Sequence, residues 1–237
     1  MSTAPPARKR GARAEIPITA EAIVEAAFRL IDERGHDGFS MRSLAGELGV
    51  FPATLYWHVG DRSQLLGLVE QRWVGEVKTP DHLDDWREWL LELARRYRAA
   101  ARRHPNVARL VSVERARNTE SLTIPEAIVG QLDGLGLGDE LVHAYNALMG
   151  AVRGFVVLEL ALIADSHPDT VSEIERDMRA LDPARFPNIT RNFDALANRA
   201  LSLRWSDVAH DPLDDSFEYL LTLLLDGLAA RLPKSPG

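Results

Sequence analysis

The sequence predicts an all-α protein, on three observations. Apolar residues recur at three- and four-residue spacing along most of its 237 residues. Residues that start and stop helices bracket those runs. No segment alternates β-branched and polar residues as a half-buried strand would.

The elements follow in order. Residues 1–17, rich in Pro, Ala and Arg and without apolar periodicity, read as a flexible basic arm. A first helix begins after Thr19 as N-cap, with Glu21 in its first turn, carries Ile23, Ala26, Ala27, Leu30 and Ile31 on one face, and ends at Gly35. Ser40 caps a short second helix bearing Leu44, Ala45 and Leu48, and Gly49 stops it where positive φ is needed. Pro52 suits the first turn of a third helix, Pro52 to Val59, because the missing N–H would have had no partner there. Asp61 and Gln64 have capping-box spacing for a fourth helix carrying Leu65, Leu68, Val69 and Trp73. Further helices are expected near Leu83 to Arg103, Pro105 to Arg117, Pro125 to Leu135, Asp139 to Ala164 and Leu213 to Leu232. Between Asp165 and Asp211, Pro168, Pro183 and Pro187 predict a loop-rich excursion with one helix near Asn188 to Ala200, a candidate lid. This divides the chain into an arm (1–17), a small head (18–62), a connecting helix (62–78) and a larger body (79–237).

Composition narrows the function classes. With no cysteine, disulfide scaffolds, thiolate metal sites and cysteine nucleophiles are all excluded. The longest nearly apolar stretch, Phe155 to Ala164, is ten residues and contains Glu159, which predicts no membrane span, and the polar leader is not a secretory signal. A cytoplasmic location is the expectation. The net charge of −7 is unevenly spread: residues 1–62 hold eight bases and eight acids and are neutral, so the acidity lies in the remainder. A neutral head with a basic leader can still meet phosphate. Enzyme chemistry has no foothold: there is no G-x-S-x-G, H-E-x-x-H or phosphate loop, and Gly134 to Gly138 follows a helix and reads as an interhelical turn. The seven histidines form no i, i+4 pair, so neither metal nor cofactor is expected.

The second and third helices, joined by Gly49, Val50 and Phe51, have the proportions of a helix-turn-helix. Thr54, Tyr56, Trp57 and His58 crowd polar and aromatic groups onto the third, while Leu55 and Val59 would anchor its other face. The run Ser40-Met41-Arg42-Ser43-Leu44-Ala45, Leu48-Gly49-Val50, Thr54-Leu55-Tyr56-Trp57-His58-Val59, Arg62 and Leu65-Leu66 resembles the DNA-binding domain of the tetracycline-repressor (TetR) family over Ile18 to about Val69. Trp86, His104, Gly154 to Glu159 and Phe217 to Leu220 resemble, more loosely, that family's regulatory domain.

The resemblance implies a regulator that binds double-stranded DNA at a palindromic operator, most simply a repressor released by a small-molecule effector. It implies that Arg42 reaches a base, where guanine O6 and N7 suit an arginine. Pro52, Ala53 and Thr54 would lie nearest the base edges, and Ser40, Tyr56, His58 and Arg62 would hold phosphates. Trp57 belongs to the same surface or packs partly beneath it. The Arg8-Lys9-Arg10 cluster is either a solvated tail or an arm in an adjacent minor groove. A homodimer through the last two long helices is implied, and Leu220, Leu221, Leu223, Leu224, Leu225, Leu228 and Leu232 give the final helix more apolar surface than one monomer core requires. Effector candidates are Trp89, Tyr97, His143, Asn146, Phe155 and Glu159. Aligned on Trp86 and His104, Leu93 and Val111 stand where tetracycline-binding members carry an amide and a metal-ligating imidazole, and Lys78 stands where another histidine is expected. An apolar or amphipathic effector other than tetracycline follows. Two alternatives stay open: a helical dimer that regulates without a small molecule, and a nonspecific architectural DNA binder, whose affinity would show a steep salt slope and no sequence preference.

Overall fold

A computed structural model describes residues 18–35, 38–81, 84–113, 122–161, 168–203 and 213–233. The expected basic arm with Arg8, Lys9 and Arg10 lies outside them, as do the far ends of the helices expected to reach Arg117 and Ala164. Among the described residues every regular element is helical.

The head is built from α1 (Ala20–Arg34), α2 (Met41–Leu48) and α3 (Pro52–Val59), and the connecting helix α4 (Arg62–Val74) packs on it. Their ends form for the reasons legible in the sequence. Thr19 accepts from the Ala22 N–H at 3.2 Å. Ser40 and Ser43 exchange side-chain-to-backbone bonds at 2.9 and 3.0 Å, as do Asp61 and Gln64 at 2.8 and 2.9 Å. Gly49, at φ 67° and ψ 28°, turns α2 toward α3 in a conformation that costs a residue with a Cβ about 1 kcal/mol or more. Ile23, Ala27, Ile31, Leu44, Leu55 and Leu65 meet in a core without solvent access.

The body consists of α5 (Trp86–Arg103), α6 (Pro105–Val113), α7 (Thr123–Asp133), α8 (Leu141–Ala161), α9 (Pro168–Arg179), the short α10 (Pro187–Arg191) and α11 (Phe193–Leu196), and α12 (Asp214–Ala229). Helix α8 is its axis, packed on α5, α6, α7 and α12. Gly134 to Gly138 form the turn from α7 into a single 3₁₀ turn before α8, with Gly136 and Gly138 at positive φ.

Three expectations change. The excursion after Asp165 is more helical than its prolines suggest, because Pro168 opens α9, where its missing N–H costs nothing. The helix expected over 188–200 is two short ones, interrupted at Asn192, whose side-chain amide takes the Asn188 carbonyl at 2.8 Å. Finally, the helical run Gly138–Ala161, 24 residues long, is by length and composition apolar enough to cross a membrane. The ten-residue count missed this because it stopped at interrupting polar letters, which an average over a window tolerates. The inner stripe of α8, Leu148, Val152, Val156 and Leu160, is buried among the body helices.

Head and body share one continuous core. They meet where α1 and α4 pack on α6, and an ionic strap reinforces the junction. Arg72 on α4 donates to Glu25 at 2.6 Å and Glu76 at 2.5 Å, and Arg103 reaches Glu76 at 2.8 Å. His104 approaches Asp32 through Nδ1 at 2.8 Å and Glu76 through Nε2 at 3.3 Å. Phe28 lies between the Arg72 guanidinium, 4.7 Å from its ring, and the edge-on His104 ring at 4.9 Å.

Candidate nucleic-acid interface and effector cavity

Helix α3 is held from behind and bare in front. Leu55 and Val59 are buried against the head, which turns Pro52, Ala53, Tyr56, Trp57 and His58 outward. Trp57 is 86% exposed, so it does not pack beneath its neighbours, and Phe51, in the turn, is 82% exposed. Thr54 is half-buried, and Ser40 and Arg42 stand exposed at the start of α2 beside this surface. Arg62 begins α4 with its guanidinium 5.6 Å from the Phe39 ring centre. Two large aromatics left in water on one short helix and its turn are costly unless something covers them. A convex helix projecting hydroxyl and imidazole groups, with Arg42 and Arg62 on the helices before and after it, has the shape and chemistry of a major-groove reader. The sequence reading missed Phe51, because a turn residue lies outside the helical register it followed.

The second site is a cavity, open to solvent at its mouth, where α4 meets the body. Helix α4 contributes Glu70, Trp73 and Val74; α5 contributes Leu90, Leu93, Ala94 and Tyr97; α6 contributes Val111. The remaining wall is Ile124, Pro125 and Ile128 of α7 with Leu148, Met149, Val152 and Arg153 of α8. Leu93 and Val111, which the resemblance placed at effector-binding positions, therefore face the cavity as apolar wall. Tyr97 meets Trp73 edge to face, with ring centres 5.4 Å apart.

Of the six effector candidates, Tyr97 alone lines this cavity. Trp89 is buried and donates its indole N–H to the Pro80 carbonyl at 3.2 Å. Glu159 is 0% exposed, and both its oxygens accept from Arg98, at 2.6 and 2.8 Å. Arg98 also donates to Asp214 at 2.6 Å and lies 4.9 Å from the Phe217 ring centre, so the pair ties α5, α8 and α12 together. Burial opposes the charge on Arg98, but the hydrogen bonds it donates to Glu159 and Asp214 outweigh that and hold the guanidinium pKa above its ordinary value. Phe155 packs on Phe217 with ring centres 5.3 Å apart. His143 and Asn146 are exposed on the outer face of α8, His143 in a groove shared with α12. No described residue of 168–203 lines the cavity, and the rest of the candidate lid lies outside the described residues. Among the described residues no three His, Asp or Glu side chains converge as a metal ion requires.

Sequence reasoning also passed over two polar groups in the cavity. Glu70 has one carboxylate oxygen, Oε2, buried without a hydrogen-bond partner among the described residues. Burial raises its pKa above the ordinary carboxylate value, and the positive charge of Arg153 only partly opposes that. The available signal was a lone acid among Leu66, Val69 and Trp73, the buried stripe of α4.

The outer faces of α8 and α12 form a further apolar surface. Phe217, Leu221 and Leu225 point inward at helical spacing, while Tyr219 and Leu223 on α12 and Val142 and Leu158 on α8 are exposed.

Comparison with known proteins agrees with both halves. Residues 23–69 match the family described as "Bacterial regulatory proteins, tetR family", and residues 79–232 match "Tetracyclin repressor-like, C-terminal domain". An HTH-type transcriptional regulator of Saccharopolyspora erythraea is 29% identical over 180 residues, 75% of this chain and 76% of that one. The Streptomyces coelicolor protein ActR, solved in complex with actinorhodin, superposes with a TM-score of 0.74 at 26% identity, covering 93% of this chain and all of that one. BioQ, solved with its natural double-stranded DNA operator, superposes with a TM-score of 0.61 at 27% identity, over 90% of this chain and 99% of that one. An exposed reading helix on a capped three-helix head, joined to a helical body with an apolar cavity, is thus the form of a known group, and the chain belongs to the TetR family of DNA-binding transcriptional regulators.

Proposed function

We propose that the chain is a repressor, binding a palindromic operator as a homodimer and leaving it when an apolar or amphipathic small molecule enters the cavity. One observation carries this reading: α4 serves both sites. Its first half buries Leu65, Leu66 and Val69 in the head directly after the reading helix, and its second half supplies Glu70, Trp73 and Val74 to the cavity. A molecule that shifts this wall must shift the head. By linkage, effector and operator then weaken each other's binding by the same factor.

Arg42 reads a base, Pro52, Ala53 and Thr54 meet base edges, and Ser40, Tyr56, His58 and Arg62 hold phosphates, with Trp57 and Phe51 covering the sugar edge. The exposure of Ser40, Arg42, Pro52, Ala53, Tyr56, Trp57 and His58 supports the assignment. The chain is not an enzyme on this reading, and it works in the cytoplasm, where operator DNA lies. ActR, solved with actinorhodin, supports the small-molecule part, and BioQ with its operator supports the DNA part.

The test is selection from a randomised duplex pool at two salt concentrations. A palindrome should emerge, and Arg42→Ala should relax preference at one base pair per half-site by about 1 to 3 kcal/mol. Tyr56→Phe should weaken all sequences alike. Binding without any motif would replace this reading with architectural DNA binding.

A further inference from the structure

The cavity wall carries two charged side chains among mainly apolar ones, and these carry information about what the cavity is for. Glu70 projects from α4 and Arg153 from α8. They are close enough for the cation to act on the carboxylate, yet no hydrogen bond or ion pair joins them among the described residues, and Glu70 Oε2 is buried with no partner at all. The contrast with the rest of the body is informative. Arg98 and Glu159, more deeply buried than Glu70 and Arg153, close onto each other with two hydrogen bonds at 2.6 and 2.8 Å. Arg95 and Glu218 do the same on the surface at 2.6 and 2.7 Å. A buried acceptor left open loses its hydration without compensation, and native proteins retain few of them. Opposite charges on facing walls of one cavity, held apart, instead leave room for a molecule that completes both.

We infer that Glu70 and Arg153 are the specificity-determining pair of the effector site, and that the effector is an aromatic molecule bearing a hydroxyl that donates to Glu70 and an acidic oxygen that binds Arg153. The inference rests on the cavity being the effector site, as proposed above, and adds the chemical class. Leu90, Leu93, Val111 and Ile128 take the ring system, with Trp73 and Tyr97 offering ring edges and faces to it. The guanidinium takes a carboxylate or phenolate oxygen through a charge-assisted bond. The open Glu70 oxygen takes the hydroxyl proton. A site built this way discriminates against ring compounds lacking either group, because each omission leaves one polar group of the cavity wall without its partner.

Calorimetric titration of the full-length protein with a matched naphthalene series tests this. The series is 2-methylnaphthalene, 2-naphthol, 2-naphthoate, and the 3-, 4- and 6-hydroxy isomers of 2-naphthoate, which vary the spacing between the two oxygens. The best hydroxy acid should bind at least about tenfold more tightly than 2-naphthol or 2-naphthoate, the fold-change expected of one charge-assisted bond. Arg153→Met should erase the carboxylate increment and keep the hydroxyl increment. Glu70→Met should do the reverse. The series on the unmutated protein stands if a variant fails to fold. Equal affinity for every ring compound, with both variants indifferent, would overturn the pair while leaving the cavity as a ligand site. Failure of the whole series, 2-methylnaphthalene included, would remove the cavity reading and the pair with it.

Discussion

Glu70 is the residue at which stability and the site pull apart. A buried oxygen without a partner costs roughly 1 to 3 kcal/mol, so replacing the side chain with an apolar one of similar length recovers part of that. Glu70→Met should therefore raise the free energy of unfolding by about 1 kcal/mol or more, read from urea denaturation at neutral pH. The sign of its pH dependence follows from the raised pKa. The folded state holds this proton more tightly than the unfolded chain, so Glu70 weighs least on stability below its ordinary value of 4.5. The weight grows as pH rises through the elevated folded value. The gain from Glu70→Met should accordingly shrink as the pH is lowered to about 4, and an equal gain at both ends would contradict the burial argument. Glu159 shows the other fate of an acid on an apolar helix: the sequence reading singled it out and passed over Glu70, and only packing determines that Arg98 reaches Glu159 while Glu70 Oε2 has no hydrogen-bond partner among the described residues.

At the scale of helices, local chemistry explains what was legible. The bounds of α3 and the caps of α1, α2 and α4 follow from Pro52, Thr19, Ser40, Asp61 and Gln64, whose partners lie within a turn. The cavity wall was not legible, since five helices build it and periodicity says which face is buried but not against what. The excursion was misread because proline at a helix start is indistinguishable, in one sequence, from proline in a loop. Gly60 gives the sharpest test of the local account. It sits at φ 70°, and a Cβ there would lie 1.8 Å from Gln64 Oε1, the atom that accepts from the Asp61 N–H. Gly60→Ala must break the capping box of α4 as well as strain the backbone. A loss of about 2 to 3 kcal/mol is expected, read from urea denaturation and accompanied by weaker operator binding. A neutral result would mean that α4 does not depend on this cap.

At the scale of the whole molecule, two surfaces decide behaviour. The outer faces of α8 and α12 carry the apolar side chains that a second copy would cover, and in a symmetric interface each substitution acts twice. Leu223→Glu, at an exposed position of α12, should yield monomers in sedimentation and cut operator affinity more than tenfold, because a single head reads too few bases. A dimer that survives this change would place the interface elsewhere. The head-to-body junction sets the response to acid. Burial pushes the Glu76 pKa up, but Arg72, His104 and Arg103 together bring it below its ordinary value. The stability this confers is present above 4.5 and is lost as pH falls through the lower folded value. Glu76→Gln should flatten the decline of the urea midpoint between roughly pH 5 and 3.

The same strap bears on how DNA affinity is measured. Arg72, Glu25 and Arg103 are exposed enough for dissolved ions to reach them. Added salt therefore weakens the fastening between head and body while it competes for the phosphates. The fall of operator affinity with salt has two sources, one in the complex and one inside the free protein. Counting backbone contacts from the slope alone would attribute to DNA some ions that were displaced within the protein.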